Sequence, residues 1–289
     1  MNILEETKFL MKKYKIKANK NLGQNFLIDD TVISDIVEGA EIKQDDLVIE
    51  IGPGLGCMTA ILLEKAKKVI CIELDRKMIK VLNDRFIAYD NIELINEDIL
   101  KIDLNKIIKG EKEKYKFKCV KIVANLPYYI TTPIIMKLLE DNLDIESITV
   151  MIQKEVADRL IEIPGGKNTG AITYTVYYYS ESKKIRDVEN TSFIPMPEVT
   201  SEVINLKIRK NPIVEVENKK IFFNIIKCAY MQRRKTLLNG LLNTGVFKNK
   251  EEGIEILNEL KLREDIRAEN LGIEDFAKLT NLFCQKIKK

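Results

Sequence analysis

The sequence predicts an α/β fold, a parallel doubly wound sheet with helices on both faces, followed by a small all-helical domain. Three observations predict it. From residue 47 to about 150, short β-type runs alternate with stretches of helical apolar spacing. The first run, Leu47-Val48-Ile49-Glu50-Ile51, ends in Gly52-Pro53-Gly54-Leu55-Gly56, a strand-to-helix turn suited to opening such a sheet. After Arg209-Lys210-Asn211-Pro212 the strand rhythm stops and helical spacing continues. The expected division is therefore 1–210 for the sheet domain and 211–289 for the helical one, with a linker near 209–217.

Each element has its own signal. A helix opens the chain, and a lysine-rich stretch leads into Asn21-Leu22-Gly23-Gln24-Asn25-Phe26-Leu27, a loop rich in amides. Asp29-Asp30 can cap a helix in which Val32, Ile33, Ile36 and Val37 share one face. Strands are expected at 47–51, 69–73, 92–95, 119–124 and 147–152, and helices at 57–66, 76–88, 103–109 and 132–140. A helix at 153–162 ends at Pro164-Gly165-Gly166. Two further strands are expected at 171–179 and 202–208, separated by Phe193-Ile194-Pro195-Met196-Pro197, too proline-rich for a sheet interior. Residues 218–289 read as helices throughout.

Composition narrows the chemistry. The chain has 289 residues, of which 45% are hydrophobic and 31% charged, enough for a large core and a charged surface. A net charge of +3 does not by itself argue a nucleic-acid partner, so the distribution of charge has to decide. With no histidine, the chain has no imidazole base, metal ligand or pH switch. The five widely spaced cysteines contain no CxxC pair, which disfavours zinc and redox sites and suits reduced core thiols in the cytoplasm. The acidic N-terminus lacks the apolar run of a signal peptide, and no stretch reaches the ~18–20 apolar residues of a membrane span.

Two constellations carry chemistry. The glycine loop lets backbone approach a ligand above a helix N-terminus. Glu73, at the end of the second strand and 21 residues after Gly52, can accept both hydroxyls of a ribose. Asp98, after the third strand beside Asn96, suits the amine of an adenine. The plain alternatives are a ligand-free turn and two solvated or capping acids. A NAD enzyme also uses such a loop, although Gly-Pro-Gly-Leu-Gly fits its spacing poorly. The second constellation is Asn125-Leu126-Pro127-Tyr128, after the fourth strand and at the same sheet edge. The N6 lone pair of adenine is delocalised into the ring. The Asn125 side-chain oxygen and the Leu126 carbonyl can accept both N6 hydrogens, drawing that nitrogen towards tetrahedral geometry. Pro127 stiffens the turn and the Tyr128 ring can stack on the base. The plain reading is a proline turn closing a strand. Together the two describe transfer of a methyl group from S-adenosylmethionine (SAM) to an exocyclic base nitrogen, chemistry that needs positioning more than a strong base.

At these residues the chain resembles the ribosomal RNA adenine N6,N6-dimethyltransferases, and within them the bacterial small-subunit (16S) group. The resemblance spans nearly the whole chain. It includes the 21–27 segment, Glu50-Ile51-Gly52-Pro53-Gly54-Leu55-Gly56, Glu73-Leu74-Asp75, Asn125-Leu126-Pro127-Tyr128-Tyr129-Ile130 and Met151-Ile152-Gln153-Lys154-Glu155-Val156-Ala157-Asp158-Arg159. Phe193-Ile194-Pro195-Met196-Pro197-Glu198-Val199 and Gln232-Arg233-Arg234-Lys235 complete it. It implies a Rossmann-like SAM-dependent methyltransferase sheet. It also implies SAM contacts by Asn25, Leu27, Gly52, Gly54, Glu73, Leu74, Asp98, Ile99 and Asn125. Asn125, Leu126, Pro127 and Tyr128 are then expected to hold the target amine, with Phe193 stacking on the other face of the adenine. The implied substrate is a pair of adjacent adenines near the 3′ end of 16S rRNA, each receiving two methyls. The implied enzyme is a metal-free monomer. Ile161-Glu162-Ile163-Pro164 and Glu202 depart from the usual pattern, and neither is expected at the site.

Charge distribution fits an RNA partner. Between Asn218 and Lys250 there are eight basic residues and no acid, densest at Arg233, Arg234 and Lys235, which are expected to bind RNA. Lys8 to Lys20 holds six lysines and no acid. The plain reading of either run is a solvated helix face. Tyr177-Tyr178-Tyr179 can stack bases, against the plainer reading as strand packing. The alternatives weighed are a 23S rRNA dimethyltransferase of the erythromycin-resistance type, an RNA-binding assembly factor that keeps the fold, and a NAD dehydrogenase.

Overall fold

The computed structural model describes residues 2–19 and 22–287; Lys20 and Asn21, named above, lie outside them. In chain order the first elements are α1 (Ile3–Lys13), β1 (Phe26–Leu27), α2 (Asp30–Gly39), β2 (Leu47–Ile51), α3 (Cys57–Lys65) and β3 (Lys68–Ile72). Then come α4 (Arg76–Arg85), β4 (Ile92–Ile95), α5 (Leu104–Lys114), β5 (Val120–Asn125), α6 (Thr131–Glu140), β6 (Ser147–Gln153) and α7 (Lys154–Ile161). The chain continues through α8 (Ala171–Tyr179), β7 (Ser180–Val188), β8 (Phe193–Ile194) and β9 (Ser201–Ile208). It ends in α9 (Lys219–Met231), α10 (Leu237–Asn243), α11 (Lys250–Glu259) and α12 (Ile273–Ile287).

Seven strands form one sheet in the order β4-β3-β2-β5-β6-β9-β7. The pairs among β4, β3, β2, β5 and β6 are parallel, and β9 runs antiparallel to β6. The order reverses between β3-β2 and β5. In open α/β sheets a crevice forms at such a switch point, outside the carboxyl ends of the strands. All five side chains of β2 are buried, as expected of a central parallel strand covered on both faces. α2 packs into this core with Val32, Ile33, Ile36 and Val37, and Asp29 caps it by accepting from the Thr31 and Val32 amides.

The chain divides into two compact units, Met1–Ala157 with Ser182–Ile208, and Asp158–Glu181 with Arg209–Lys289. Residues 158–181, assigned by the sequence reading to the first domain, therefore cluster with the C-terminal helices. The strand expected at 171–179 is instead α8. Its β-prone residues are overruled by burial, because Tyr174 and Tyr178, one helical turn apart, sit in a core with Phe222 and Phe276. Tyr179 stacks on Phe223 and the Arg209 guanidinium lies over the Tyr177 ring, so the tyrosine run packs against the helical core rather than forming a strand. The strand β7, with five charged residues in nine, has no alternation by which the sequence reading could find it.

Candidate cofactor and amine site

A cavity of about 150 Å³ lies at the carboxyl edge of the sheet, entirely within the first unit. Its walls bring together Asn25, Leu27, Gly52, Gly54, Glu73, Leu74, Asp98, Ile99, Asn125, Leu126, Pro127 and Tyr128. Every site residue expected of the sheet domain is present except Phe193.

The glycine loop forms one wall. Gly52, Gly54 and Gly56 all take positive φ, between 58° and 81°. At Gly56 no side chain fits: a Cβ would lie 2.6 Å from the Phe86 ring and 2.8 Å from Leu82. The Gly54 amide donates to Glu73 Oε2 at 3.2 Å, and the Asp75 amide donates to Glu73 Oε1 at 2.8 Å. The Glu73 carboxylate is thus aimed by two backbone groups. Burial raises its pKa, and these amides oppose that rise.

Asp98 Oδ1 accepts from the Leu100 amide at 3.0 Å, so this acid also caps its own turn. Its neighbour Asn96 donates to the Glu73 and Leu74 carbonyls, at 2.8 and 3.1 Å. The nitrogen of that amide ties the ends of β3 and β4 together, and its oxygen is not part of this tie.

Asn125 closes β5. Its side-chain nitrogen donates to the Asn25 carbonyl at 3.2 Å, which leaves Oδ1 to accept. The Leu126 amide donates to the Met151 carbonyl at 3.1 Å and fixes the next peptide. Pro127 O accepts from the Ile130 amide and the Thr131 hydroxyl, closing the turn. The Tyr128 hydroxyl shares a 2.7 Å hydrogen bond with Ser201 Oγ, which holds the half-buried ring, and burial raises its pKa. Ser201 precedes Glu202, so that departure from the usual pattern borders the site. Glu202 is fully buried, with Oε2 bonded to Lys154 and Lys184 at 3.2 and 2.8 Å.

Phe193 lies elsewhere. It pairs with Leu27 across β8 and β1, its ring is 2% exposed in the core, and it does not line the cavity. Strand alternation turns it inward, so here it offers no stacking face to a base.

Sequence reasoning missed three supports. Glu50, fully buried on the cavity wall, accepts from Thr59 at 2.6 Å; its Oε1 has no partner among the described residues, and burial pushes its pKa up to about 7. Arg85 donates to the Leu55 carbonyl at 2.6 Å and pairs with Glu6 at 2.7 Å, joining the loop to α1. Gln24 reaches Asp75 at 3.0 Å. Glu50 and Gln24 lie within motifs that carry the family resemblance and Arg85 lies in none, but nothing local shows their roles, because each acts on a partner distant in sequence.

In the second unit, Arg233, Arg234 and Lys235 occupy the turn after α9 rather than a helix face. Arg233 pairs with Glu269 at 3.1 Å and donates to the Lys167 carbonyl. Arg234 and Lys235 are exposed and, among the described residues, have no ion-pair partner. No group of three or more His, Cys, Asp or Glu able to hold a metal occurs among the described residues, and no described helix is long and apolar enough to cross a membrane.

The profile of the ribosomal RNA adenine dimethylases matches residues 15–285. The chain belongs to that family. Among curated relatives, the ribosomal RNA small subunit methyltransferase A of Alkaliphilus oremlandii is 45% identical over 98% of both chains. The protein of the same name from Clostridium acetobutylicum is 47% identical over 95% of this chain and 97% of its own. Among solved structures, a dimethyladenosine transferase from Plasmodium falciparum superposes with a TM-score of 0.75 at 29% identity, covering 90% of this chain and 98% of its own. The 23S rRNA methyltransferase ErmE superposes at a TM-score of 0.67 over 90% of this chain and all of its own, and at 24% identity it speaks for the fold alone.

Proposed function

We propose that this dimethylase transfers methyl groups from SAM to N6 of two adjacent adenines near the 3′ end of 16S rRNA in the small ribosomal subunit, during ribosome biogenesis. The product is N6,N6-dimethyladenine. The observation that carries the reading is the commitment of the Asn125 nitrogen to the Asn25 carbonyl, which leaves a cavity-lining residue with its amide oxygen to accept, beside the glycine loop. The curated relatives named above support the small-subunit substrate.

The cavity residues fit SAM. Glu73, held by two backbone amides, retains lone pairs for a ribose diol, and Ile99 and Leu74 supply apolar walls. Asp98 is the acceptor for the adenine end, and Asn25, Leu27, Gly52 and Gly54 line the rest. When bound, SAM supplies an electrophilic methyl on a sulfonium.

The chain's own part is positioning. Asn125 Oδ1 and the Leu126 carbonyl accept the two N6 hydrogens and localise the lone pair, and the Tyr128 ring stacks on the base with its hydroxyl anchored to Ser201. These acceptors gain strength as positive charge builds on nitrogen, so they favour the transition state over the ground state. No imidazole is available to take the proton, and the cationic product nitrogen can release it to water. Arg234 and Lys235 are proposed to contact RNA phosphates. Cys57, Cys71, Cys119 and Cys228 are free thiols, which agrees with a reducing compartment such as the cytoplasm, where we place the enzyme as a monomer.

The test is transfer of labelled methyl from SAM to unmethylated 30S subunits, 50S subunits and free rRNA, with the products mapped. Dimethylation of adjacent 16S adenines is expected. Transfer confined to 50S subunits would replace this reading with the 23S type.

A further inference from the structure

The first unit carries a basic surface that the reading above leaves without a role. The outer face of α1 presents Lys8, Phe9, Lys12 and Lys13, four exposed positions related by one- and four-residue steps. Lys15 and Lys17 follow, also exposed, and none of these lysines has an ion-pair partner among the described residues. Of the two acids in the first turn of α1, Glu6 is bound to Arg85, and Glu5 is exposed one turn before Lys8, so the face is basic from Lys8 onward. Phe9 stays 53% exposed on this face, although its helix buries Ile3, Thr7 and Leu10 underneath.

This surface is held close to the cavity. Leu10 and Ile16 pack in one cluster with Phe26 and Leu55, so α1 rests on the glycine loop and on the cavity wall. The chain then turns through Asn19, whose carbonyl accepts from the Leu22 and Gln24 amides, into the wall itself. Gly23 meets Tyr129: a Cβ on Gly23, which has φ +57°, would lie 3.1 Å from that ring. Tyr129 lines the cavity yet is 59% exposed, so the edge of its ring lies by the Gly23 loop while much of the side chain is open to solvent.

We propose that α1, the 15–17 segment and Tyr129 form a single-strand track, with the lysines contacting phosphates and Tyr129 stacking the base adjacent to the one in the cavity. The inference rests on the functional reading above, and it answers a need created there. Of two adjacent adenines, one enters the cavity while its neighbour must be parked outside. Basic side chains interleaved with open aromatic rings are how proteins hold single strands. A membrane surface is the other partner that a basic helix with an exposed ring can take. It is disfavoured because the apolar face of α1 is already buried in the protein.

The experiment uses the full chain and unmethylated 30S subunits. Lys8→Gln/Lys12→Gln/Lys13→Gln should lower the slope of log affinity against log salt by about 0.7 per lost contact, roughly 2 in all. Tyr129→Leu should raise KM for 30S subunits several-fold or more, on the scale of one lost base stack, with Tyr129→Phe restoring it. It should also shift the ratio of methylation between the two adenines. SAM affinity by calorimetry should stay at the wild-type value in the triple lysine variant. Unchanged slopes and KM would overturn the track. So would a parallel loss of SAM affinity, which would mark these residues as cavity supports, or a loss confined to binding of anionic phosphatidylserine vesicles. Wild-type methylation of the 30S subunits is the control for the functional reading, so failure of the track alone remains distinguishable from failure of that reading.

Discussion

The side-chain nitrogen of Asn125 donates to the main-chain carbonyl of Asn25 at 3.2 Å, joining residues 100 positions apart. The bond assigns the Asn125 amide nitrogen and leaves its oxygen to accept, and it ties the segment after α1 to the end of β5. One hydrogen bond thereby links the wall proposed for the cofactor to the proposed amine acceptor.

Asn125→Ala should lower kcat by on the order of 100-fold, the scale seen when one transition-state hydrogen-bonding group is removed. Binding to 30S subunits should change little, and some SAM affinity should be lost with the anchor on Asn25. Single-turnover methyl transfer read beside 30S binding decides it; near-normal turnover would sink the mechanism.

Glu73→Ala should weaken SAM by about 1–3 kcal/mol, because it removes the proposed diol acceptor and orphans the Gly54 and Asp75 amides. Calorimetry on a variant with a native unfolding transition gives the number, and unchanged affinity would take Glu73 out of the site.

Stability should depend on pH through Glu50. With its pKa pushed up to about 7, chiefly by burial, the folded chain holds a proton that the unfolded chain has already released. The contribution is present below the ordinary carboxylate value and is lost as pH rises through about 7. Denaturant unfolding should show the wild type losing about 1–3 kcal/mol between roughly pH 5 and pH 8 relative to Glu50→Gln, at 1.36 kcal/mol per unit. Parallel stability curves for the two proteins would contradict this.

Arg234→Gln/Lys235→Gln should reduce the salt slope of 30S binding by between roughly 1 and 2, leaving SAM affinity alone. Arg233→Gln should act differently: its guanidinium is bonded to Glu269 and the Lys167 carbonyl, so it should cost a fraction of a kcal/mol of stability, about the worth of an exposed pair, with a smaller change in slope. Equal slopes for the double variant and wild type would reduce the cluster to a solvated turn.

Legibility in the sequence followed locality. The parallel strands and their helices were readable because buried strands are continuous apolar runs and amphipathic helices repeat every few residues. The glycine loop and Asn125-Leu126-Pro127-Tyr128 were readable because their chemistry sits in consecutive residues. What escaped depends on distant partners. α8 reads as a strand until Phe222 and Phe276 supply a core around Tyr174 and Tyr178. Asn96 reads only as the neighbour of Asp98 until its nitrogen is seen tying the Glu73 and Leu74 carbonyls to the end of β4. Phe193 reads as an open ring until its pairing with Leu27 turns it inward.

The rim of the sheet carries a consequence of its own. β7 is the outermost strand on one side, and an outermost strand offers unpaired amides and carbonyls as a template for a second chain. Here the template carries Glu181, Lys183, Lys184, Arg186 and Asp187, with Lys184 bridged to Asp187 and Arg186 to Asp35. A copy docking edge to edge would have to strip water from these charges and meet their like. The feature that hid β7 from a hydrophobic pattern is what guards the fold against aggregation at that border.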